Sequence, residues 1–244
     1  MATGPKLPNS DTSSGTTVSP RNAVDAFLRQ VAAAPKPLAT GARGRLLFAM
    51  DATASREPSW DTACQIQGEM FRETAALGGL DIQLAYYRGF QEFAATPWLS
   101  DSETLLRRMT SVTCRGGQTQ IERLLRHAAK ESASQPVQAL VFVGDCFEED
   151  IDAVCHAAGE LGLRGAPAFI FHEGGEPLAR RAFEEIARLT KGAYCAFDAS
   201  SAQQLRDLLA AVAVYAAGGR RALENYGRKQ GGAALMLTSR LGKA

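Results

Sequence analysis

Residues 45–55 read RLLFAMDATAS, a short apolar run that ends in an aspartate and two hydroxyl residues. An uninterrupted apolar run of this length is typical of a strand that helices cover on both faces. Residues 139–145 read ALVFVGD and repeat the pattern, with a second aspartate directly after the apolar residues. The two segments therefore predict buried, parallel strands that are each followed by a carboxylate.

The central part of the chain alternates between strand-like and helix-like segments. Further strands are predicted at residues 80–88, 89–95, 166–173 and 193–198. Helices are predicted at residues 57–76, 101–110, 119–133, 148–162, 176–192 and 200–219. A tight turn at Arg88-Gly89 predicts a hairpin, which adds one antiparallel edge strand. Strands that alternate with helices in this way indicate an α/β fold with a mostly parallel sheet.

Composition divides the chain into four parts. Residues 1–20 carry almost no apolar side chains and predict a disordered tail. Residues 21–42 predict a leading helix and a linker, and the apolar face of that helix consists of Val24, Phe27, Leu28 and Val31. Residues 43–217 predict the folded domain. Residues 218–244 predict a basic C-terminal tail, because they contain six basic residues and one acidic residue.

The totals exclude several classes of protein. The 244 residues are 45% hydrophobic with a formal net charge of +1, which argues against nucleic acid or a membrane surface as the partner. Five cysteines without a CxxC pair argue against a structural zinc site and a disulfide framework. We find no secretory signal and no run of about 18 apolar residues. We therefore expect a cytoplasmic protein that does not span a membrane.

Oxygen-bearing side chains follow the predicted strands. Asp51, Thr53 and Ser55 lie after the first strand, and Asp145 lies after the strand at 139–144. Thr119 follows a Gly-rich turn. The carboxyl ends of parallel strands share one edge of the sheet, where ligands bind. Two carboxylates and three hydroxyls suit a hard cation such as Mg²⁺ and suit zinc or copper poorly.

With these residues in this order, the sequence resembles the von Willebrand factor type A domain and its metal-ion-dependent adhesion site. That pattern is an apolar strand with Asp-x-Ser-x-Ser, a distant Thr after a Gly-rich turn, and a second Asp after the fourth strand. The matching segments here are FAMDATAS, RGGQTQI and VFVGD. The resemblance covers roughly residues 43–215. It implies a doubly wound, Rossmann-like, six-stranded sheet of order 3-2-1-4-5-6, with strand 3 antiparallel and helices on both faces.

The resemblance also implies a function. It predicts a Mg²⁺ ion, or alternatively Mn²⁺, whose protein ligands are Asp51, Thr53, Ser55, Thr119 and Asp145. An open coordination position would then bind an Asp or Glu of a partner protein, without catalysis. Three residues depart from the family pattern. Thr53 replaces a serine and retains its hydroxyl, Gln120 replaces a common acid, and Cys146 replaces a common glycine.

Two other functions are compatible with the same residues. Asp51 and Asp145 after two strands also resemble a Mg²⁺-dependent phosphohydrolase of the haloacid dehalogenase type, in which an aspartate is the nucleophile. Those enzymes have a second aspartate where Thr53 stands, and that aspartate is the general acid and base. The third reading is a metal-free scaffold, in which Asp51 and Asp145 cap neighbouring helices and Thr119 is a helix N-cap.

Other residues near the predicted strand ends allow two interpretations each. Trp98 follows the hairpin and is a candidate for the rim of the site. His172 ends an apolar strand and lies either at that rim or in the core. The acidic residues at 148–150 precede a helix, where negative charge is favourable, or they hold a second cation or a basic partner.

Overall fold

Six strands form one sheet in the computed structural model, which describes residues 20–34, 43–61, 80–198 and 207–218. The strands are β1 (Gly44–Asp51), β2 (Leu80–Arg88), β3 (Glu92–Ala95), β4 (Ala139–Gly144), β5 (Ala168–Glu173) and β6 (Ala193–Phe197). Their order is β3-β2-β1-β4-β5-β6, and only β3 runs antiparallel to its neighbour. The predicted fold class and strand order are confirmed.

Helices cover both faces of this sheet. They are α1 (Pro20–Ala33), α2 (Ser102–Thr110), α3 (Ile121–Ser134), α4 (Ile151–Leu163), α5 (Pro177–Thr190) and α6 (residues 207–218). Most of the predicted N-terminal tail, the predicted linker and the basic C-terminal tail lie outside the described residues. None of the described helices is long and apolar enough to cross a membrane.

The side chains of β1 show why the sheet needs two helical layers. Leu46, Phe48 and Met50 point to one face, where they join a core that includes residues of α1, α2 and α6. Leu47 and Ala49 point to the other face and pack with α3, α4 and α5. All of these side chains are buried, as expected for a central strand of a doubly wound sheet.

The leading helix belongs to this core. Phe27, Leu28 and Val31 are each at most 3% exposed, and the ring of Phe27 contacts those of Phe169 and Phe171 on β5. This confirms that the helix docks on the domain through the predicted apolar face. Val24 belongs to the same predicted face, but its side chain is outside the described part.

Three predicted helix starts are wrong, and one of them is at residue 148, because Asp150 is the N-cap of a helix that begins at Ile151. Residues 57–59 were predicted to begin an α-helix, but they belong to a 3₁₀ helix at Ala54–Ser59 that contains Pro58. Residues 60 and 61 are α-helical, and the remainder of the predicted helix lies outside the described residues. The helix predicted from Thr119 begins at Ile121 instead, because Gln120 has an extended φ of −136° and is the N-cap.

The parallel register aligns the carboxyl ends of the central strands. Asp51 at the end of β1 pairs with Tyr87 of β2, and Gly144 at the end of β4 pairs with His172 of β5. The residues that follow these strands therefore emerge at one edge, which we call the carboxyl edge. The opposite edge, at which β1 begins with Gly44, is called the amino edge.

Candidate metal centre

Asp51 is the most enclosed residue of the predicted site. Its side chain is fully buried, Oδ1 accepts a hydrogen bond from the Thr53 N–H at 2.8 Å, and Oδ2 accepts one from the Tyr87 hydroxyl at 3.0 Å. Burial raises the pKa of Asp51 to about 6, although the hydrogen bonds from Thr53 and Tyr87 oppose this shift. A carboxylate with this pKa is mostly ionised at neutral pH and gains from a nearby cation.

Thr53 and Ser55 form the curled loop that their spacing predicts. Their hydroxyl oxygens are 3.1 Å apart, which is shorter than the distance that two residues span along a straight strand. The curl arises because Thr53 forms a β-bridge with Arg115 and the chain then enters the 3₁₀ helix. Thr53 is buried and Ser55 is exposed, so the pair connects the interior of the site with solvent.

Asp145 follows β4 and faces this loop. Its negative charge is one of the causes that raise the pKa of Asp51, which places the two carboxylates within electrostatic reach of each other. Its Oδ1 atom is buried and has no hydrogen-bond partner among the described residues. A buried acceptor without a partner costs free energy, and a bound cation would offset that cost.

Cys146 occupies the position where the family pattern has glycine. Its Sγ atom lies 4.0 Å from the Ser55 hydroxyl. Burial, together with the nearby charge of Asp145, raises the pKa of the thiol to about 11. The thiol is therefore protonated at neutral pH and adds no charge to the site.

Thr119 is held against the loop that follows β4. The Glu148 N–H donates to Thr119 Oγ1 at 3.1 Å, and the Glu148 carboxylate accepts from the Thr119 N–H at 3.3 Å. Glu149 accepts from the first two N–H groups of α3, those of Ile121 and Glu122. These carboxylates, which come from a different loop, therefore fix the start of α3 and the position of Thr119.

These contacts also bear on the acidic cluster at residues 148–150, and they support the interpretation in which negative charge stabilises a helix N-terminus. Asp150 is the N-cap of α4 and accepts a hydrogen bond from the Ala153 N–H. Glu149 accepts from the N–H groups at the start of α3. Two of the three acids therefore stabilise helix N-termini, as the favourable-charge interpretation predicts. The scaffold interpretation assigned helix capping to Asp51, Asp145 and Thr119, and this is wrong because the N-caps of the helices that follow them are Thr53, Asp150 and Gln120.

Two residues that the sequence analysis missed or left open support the site from behind. Tyr87 donates to Asp51 and is fully buried; the strand-end rule would have found it, because it lies opposite Asp51 in the register. His172 is buried, with Nε2 3.3 Å from the Asp145 carbonyl oxygen and Nδ1 2.9 Å from the Tyr194 hydroxyl. Burial lowers the pKa of His172. It therefore belongs to the core behind Asp145.

Trp98 does not lie at the rim, so that prediction is wrong. Its indole N–H donates to Glu131 near the end of α3, and the Arg45 guanidinium lies 3.7 Å from its ring centroid. Arg45 is the second residue of β1, so Trp98 is at the amino edge. The reason is that the chain after β3 runs back along β2, where Leu99 bridges to Ile82.

The donor chemistry of the site fits a hard divalent cation. The described residues include no cluster of three or more His, Cys, Asp or Glu side chains that could hold a metal ion. A cation at Asp51 and Asp145 would therefore depend on the hydroxyls of Thr53, Ser55 and Thr119 and on water to complete its ligands. Mg²⁺ usually binds proteins through one or two carboxylates and several waters. The unpaired Asp145 oxygen is the structural observation that supports this fit.

Comparison with known proteins informs the fold. No protein-family model and no curated protein matches the chain. Among solved structures, a von Willebrand factor type A protein from Catenulispora acidiphila superposes with a TM-score of 0.58 at 16% identity, over 71% of this chain and 43% of the other. The chain has the von Willebrand factor type A fold.

Two further structures with this fold are similar to the chain. Proximal thread matrix protein 1 from the mussel byssus, with a zinc-occupied MIDAS motif, has a TM-score of 0.59 at 16% identity, over 70% of this chain and 48% of its own. The SpRpn10 VWA domain has a TM-score of 0.53 at 11% identity, over 70% of this chain and 94% of its own. The chain thus spans less than half the length of the first two proteins. At these identities the likeness concerns the fold alone.

Proposed function

We propose that this VWA-fold chain is a non-enzymatic protein-interaction module. In this proposal Asp51, Thr53, Ser55, Thr119 and Asp145 hold a Mg²⁺ ion, with Mn²⁺ as the alternative. An open coordination position on the ion binds the side-chain carboxylate of an Asp or Glu in a partner protein. The observation that carries the proposal is the buried, unpaired oxygen of Asp145 at an edge lined by carboxylate and hydroxyl oxygens.

The residues of the chain have distinct parts in this function. Asp51 and Asp145 supply the negative charge, and Tyr87 and the Thr53 N–H hold the Asp51 carboxylate in one orientation. Glu148 fixes the Thr119 hydroxyl relative to the loop that carries Asp145. The ion supplies the positive charge that a partner carboxylate requires. Ser55 is exposed, so that side of the site is open to a partner.

A thermal-shift experiment tests the cation site. At a concentration 100 times the dissociation constant, Mg²⁺ or Mn²⁺ stabilises a one-site protein by about 2.7 kcal/mol, which raises Tm by roughly 5 to 10 °C in a domain of this size. We expect this shift in the wild type, its reversal by a chelator, and its loss in Asp145→Asn. Asp152→Asn is the matched control, because Asp152 is an exposed acid of the same loop-to-helix segment. Equal metal-dependent shifts of Tm in Asp145→Asn and Asp152→Asn would favour the metal-free scaffold.

The phosphohydrolase alternative has its own discriminating measurement. Thr53 stands where those enzymes have their general acid and base, so we expect no hydrolysis of p-nitrophenyl phosphate with Mg²⁺ above the rate of the buffer. Turnover that disappears in Asp51→Asn would favour the phosphohydrolase over the interaction module.

We further propose that the protein works in a reducing cytoplasm. The four cysteines in the described part, Cys114, Cys146, Cys155 and Cys195, are free thiols, and this supports the proposal. Fractionation of cells that express a tagged chain tests it. Recovery in an oxidising compartment would contradict it.

A further inference from the structure

The exposed large apolar side chains of the described part are concentrated at the carboxyl edge. Phe90, Ile151 and Leu178 are 77%, 39% and 54% exposed. Phe90 lies in the turn after β2, and Ile151 and Leu178 lie at the starts of the helices that follow β4 and β5. The fourth such residue, Leu163, ends α4 at the amino edge and is 91% exposed. Single exposed apolar residues are ordinary, but three on the edge that carries the metal centre indicate a contact surface.

Phe90 protrudes from a turn whose backbone is anchored to the Thr119 loop. The Gln118 N–H donates to the Gly89 carbonyl oxygen at 3.3 Å. Gly117 packs so closely on this turn that a Cβ atom there would lie 2.0 Å from the same oxygen. Gly89 and Gln91, on either side of Phe90, both have positive φ angles. The exposed ring is therefore held on a fixed backbone beside Thr119, and a partner that buries it would lose little loop entropy.

Three arginines lie on the segments that adjoin this turn. Arg88 and Arg115 share one carboxylate, that of Glu92, at 2.9 and 2.8 Å. Arg123 donates to the Gln91 carbonyl oxygen at 2.8 Å, and no carboxylate of the described residues lies within ion-pair distance of it. Two of the three guanidinium groups thus share the Glu92 carboxylate, and the third, that of Arg123, has no ion pair among the described residues. The surface around Phe90 therefore carries a positive charge that complements an acidic partner.

The same surface is directly connected to the predicted metal ligands. Arg115 forms the β-bridge with Thr53, and its N–H donates to the Ala52 carbonyl oxygen at 3.0 Å. The Arg115 side chain is nevertheless 57% exposed. The residue that carries this exposed guanidinium group is therefore bonded through its backbone to the loop of the metal centre.

We propose that Phe90, Arg115 and Arg123 form a second contact patch, the tip patch, for an acidic segment of a partner protein. An apolar side chain of the segment packs on Phe90, and its acidic residues pair with the arginines. A neighbouring carboxylate of the same segment reaches the cation, so this inference rests on the proposed function. Aromatic and arginine side chains are the residues that most often dominate binding energy at interfaces.

Fluorescence anisotropy tests the tip patch with defined probes. The first is a fluorescein-labelled peptide of repeating Asp-Leu-Gly units, and two others replace Asp by Asn or Leu by Ser. The double variant Phe90→Ser/Arg123→Glu alters the patch, and Leu163→Ser/Arg164→Glu makes the same change at the amino edge. All four side chains are exposed, so both variants should fold, which circular dichroism checks. With Mg²⁺ we expect the Asp-Leu-Gly peptide to bind the tip-patch variant about tenfold more weakly than the wild type or the control.

Several outcomes would overturn the tip patch. These are no binding of the Asp-Leu-Gly peptide, unchanged affinity in the tip-patch variant, equal losses in both double variants, or equal binding of all three peptides. Preferential, patch-dependent binding of a labelled oligouridylate would assign the arginines to nucleic acid instead.

A chelator separates this inference from the cation proposal. Loss of peptide binding with chelator, without an effect of the tip-patch variant, would retain the metal site and remove the patch. If the tip-patch variant weakens peptide binding but neither the chelator nor Asp51→Asn changes the affinity, the patch is retained and the proposed cation contact is removed.

Discussion

The two edges of the sheet satisfy their buried polar groups in opposite ways. At the amino edge the buried Arg45 guanidinium donates to the Gln135 carbonyl oxygen, pairs with Glu131 at 3.2 Å and stacks on Trp98. Trp98 also donates to Glu131 at 2.7 Å. The Arg45 main chain hydrogen-bonds with Gln138 through both its N–H and its carbonyl oxygen. The Arg45 guanidinium, the Trp98 ring and the Arg45 backbone groups therefore all have partners at this edge.

The carboxyl edge retains polar groups that are costly to bury. Asp51 is fully buried with its pKa raised to about 6, and Asp145 has a buried oxygen with no partner among the described residues. Phe90, in the turn after β2 at the same edge, is exposed. The contrast indicates that the amino edge contributes stability, whereas the carboxyl edge gives up stability for a site that a ligand can complete.

The largest expected effect comes from breaking the amino edge. Arg45→Ala leaves Glu131 without its ion pair and removes the group that covers Trp98. We expect a loss of about 3 to 4 kcal/mol in the free energy of unfolding, measured by urea denaturation. The Mg²⁺-dependent rise in Tm should persist, because Arg45 lies at the other edge. A loss below about 1 kcal/mol would show that the two edges do not differ as described.

An intermediate effect of opposite sign is expected at the carboxyl edge. The folded-state pKa of Asp51, about 6, exceeds the ordinary aspartate value of 3.8. The folded protein therefore retains a proton that the unfolded chain releases, and stability falls as pH rises from about 4 to about 6. Two pKa units correspond to about 3 kcal/mol, from which the lost hydrogen bond to Tyr87 subtracts about 1 kcal/mol. With chelator at about pH 7.5, Asp51→Asn should thus be more stable than the wild type by about 2 kcal/mol.

Urea denaturation of both proteins between about pH 4 and about pH 7.5 checks this prediction. The advantage of Asp51→Asn should grow from about pH 4 to about pH 6 and stay constant from there to about pH 7.5. In Mg²⁺ the order should reverse, because only the wild type gains the stabilisation of the bound ion. A variant that is less stable than the chelated wild type at every pH would contradict the prediction.

The smallest expected effect concerns the link between the two loops of the metal centre. Glu149→Gln weakens the acceptor for the first N–H groups of α3 and should cost about 1 kcal/mol. Asp101→Ala is the matched control, because Asp101 caps α2 away from the metal centre and its loss should cost a similar amount. Only Glu149→Gln should also reduce the Mg²⁺-dependent shift in Tm. Equal Mg²⁺ responses in both variants would show that Glu149 stabilises the helix alone.

Much of the fold and of the candidate site was predictable from local sequence. The apolar run of β1 and the alternation of strands and helices predict a parallel sheet, and β2 has the predicted limits, Leu80 to Arg88. The positions of Asp51 and Asp145 follow from the rule that parallel strands end at one edge. Strand period and apolar burial are local properties, so one sequence reveals them.

Tertiary structure alone decided which groups meet. Tyr87 reaches Asp51 through strand register, and Glu148 and Glu149 reach Thr119 and α3 from another loop. Trp98 lies next to the hairpin in sequence but at the far edge of the sheet in space. The sequence by itself determined the elements and the oxygen-rich strand ends, because those depend on local periodicity. Partners, burial and the raised pKa of Asp51 depend on packing between distant segments, which local periodicity does not encode.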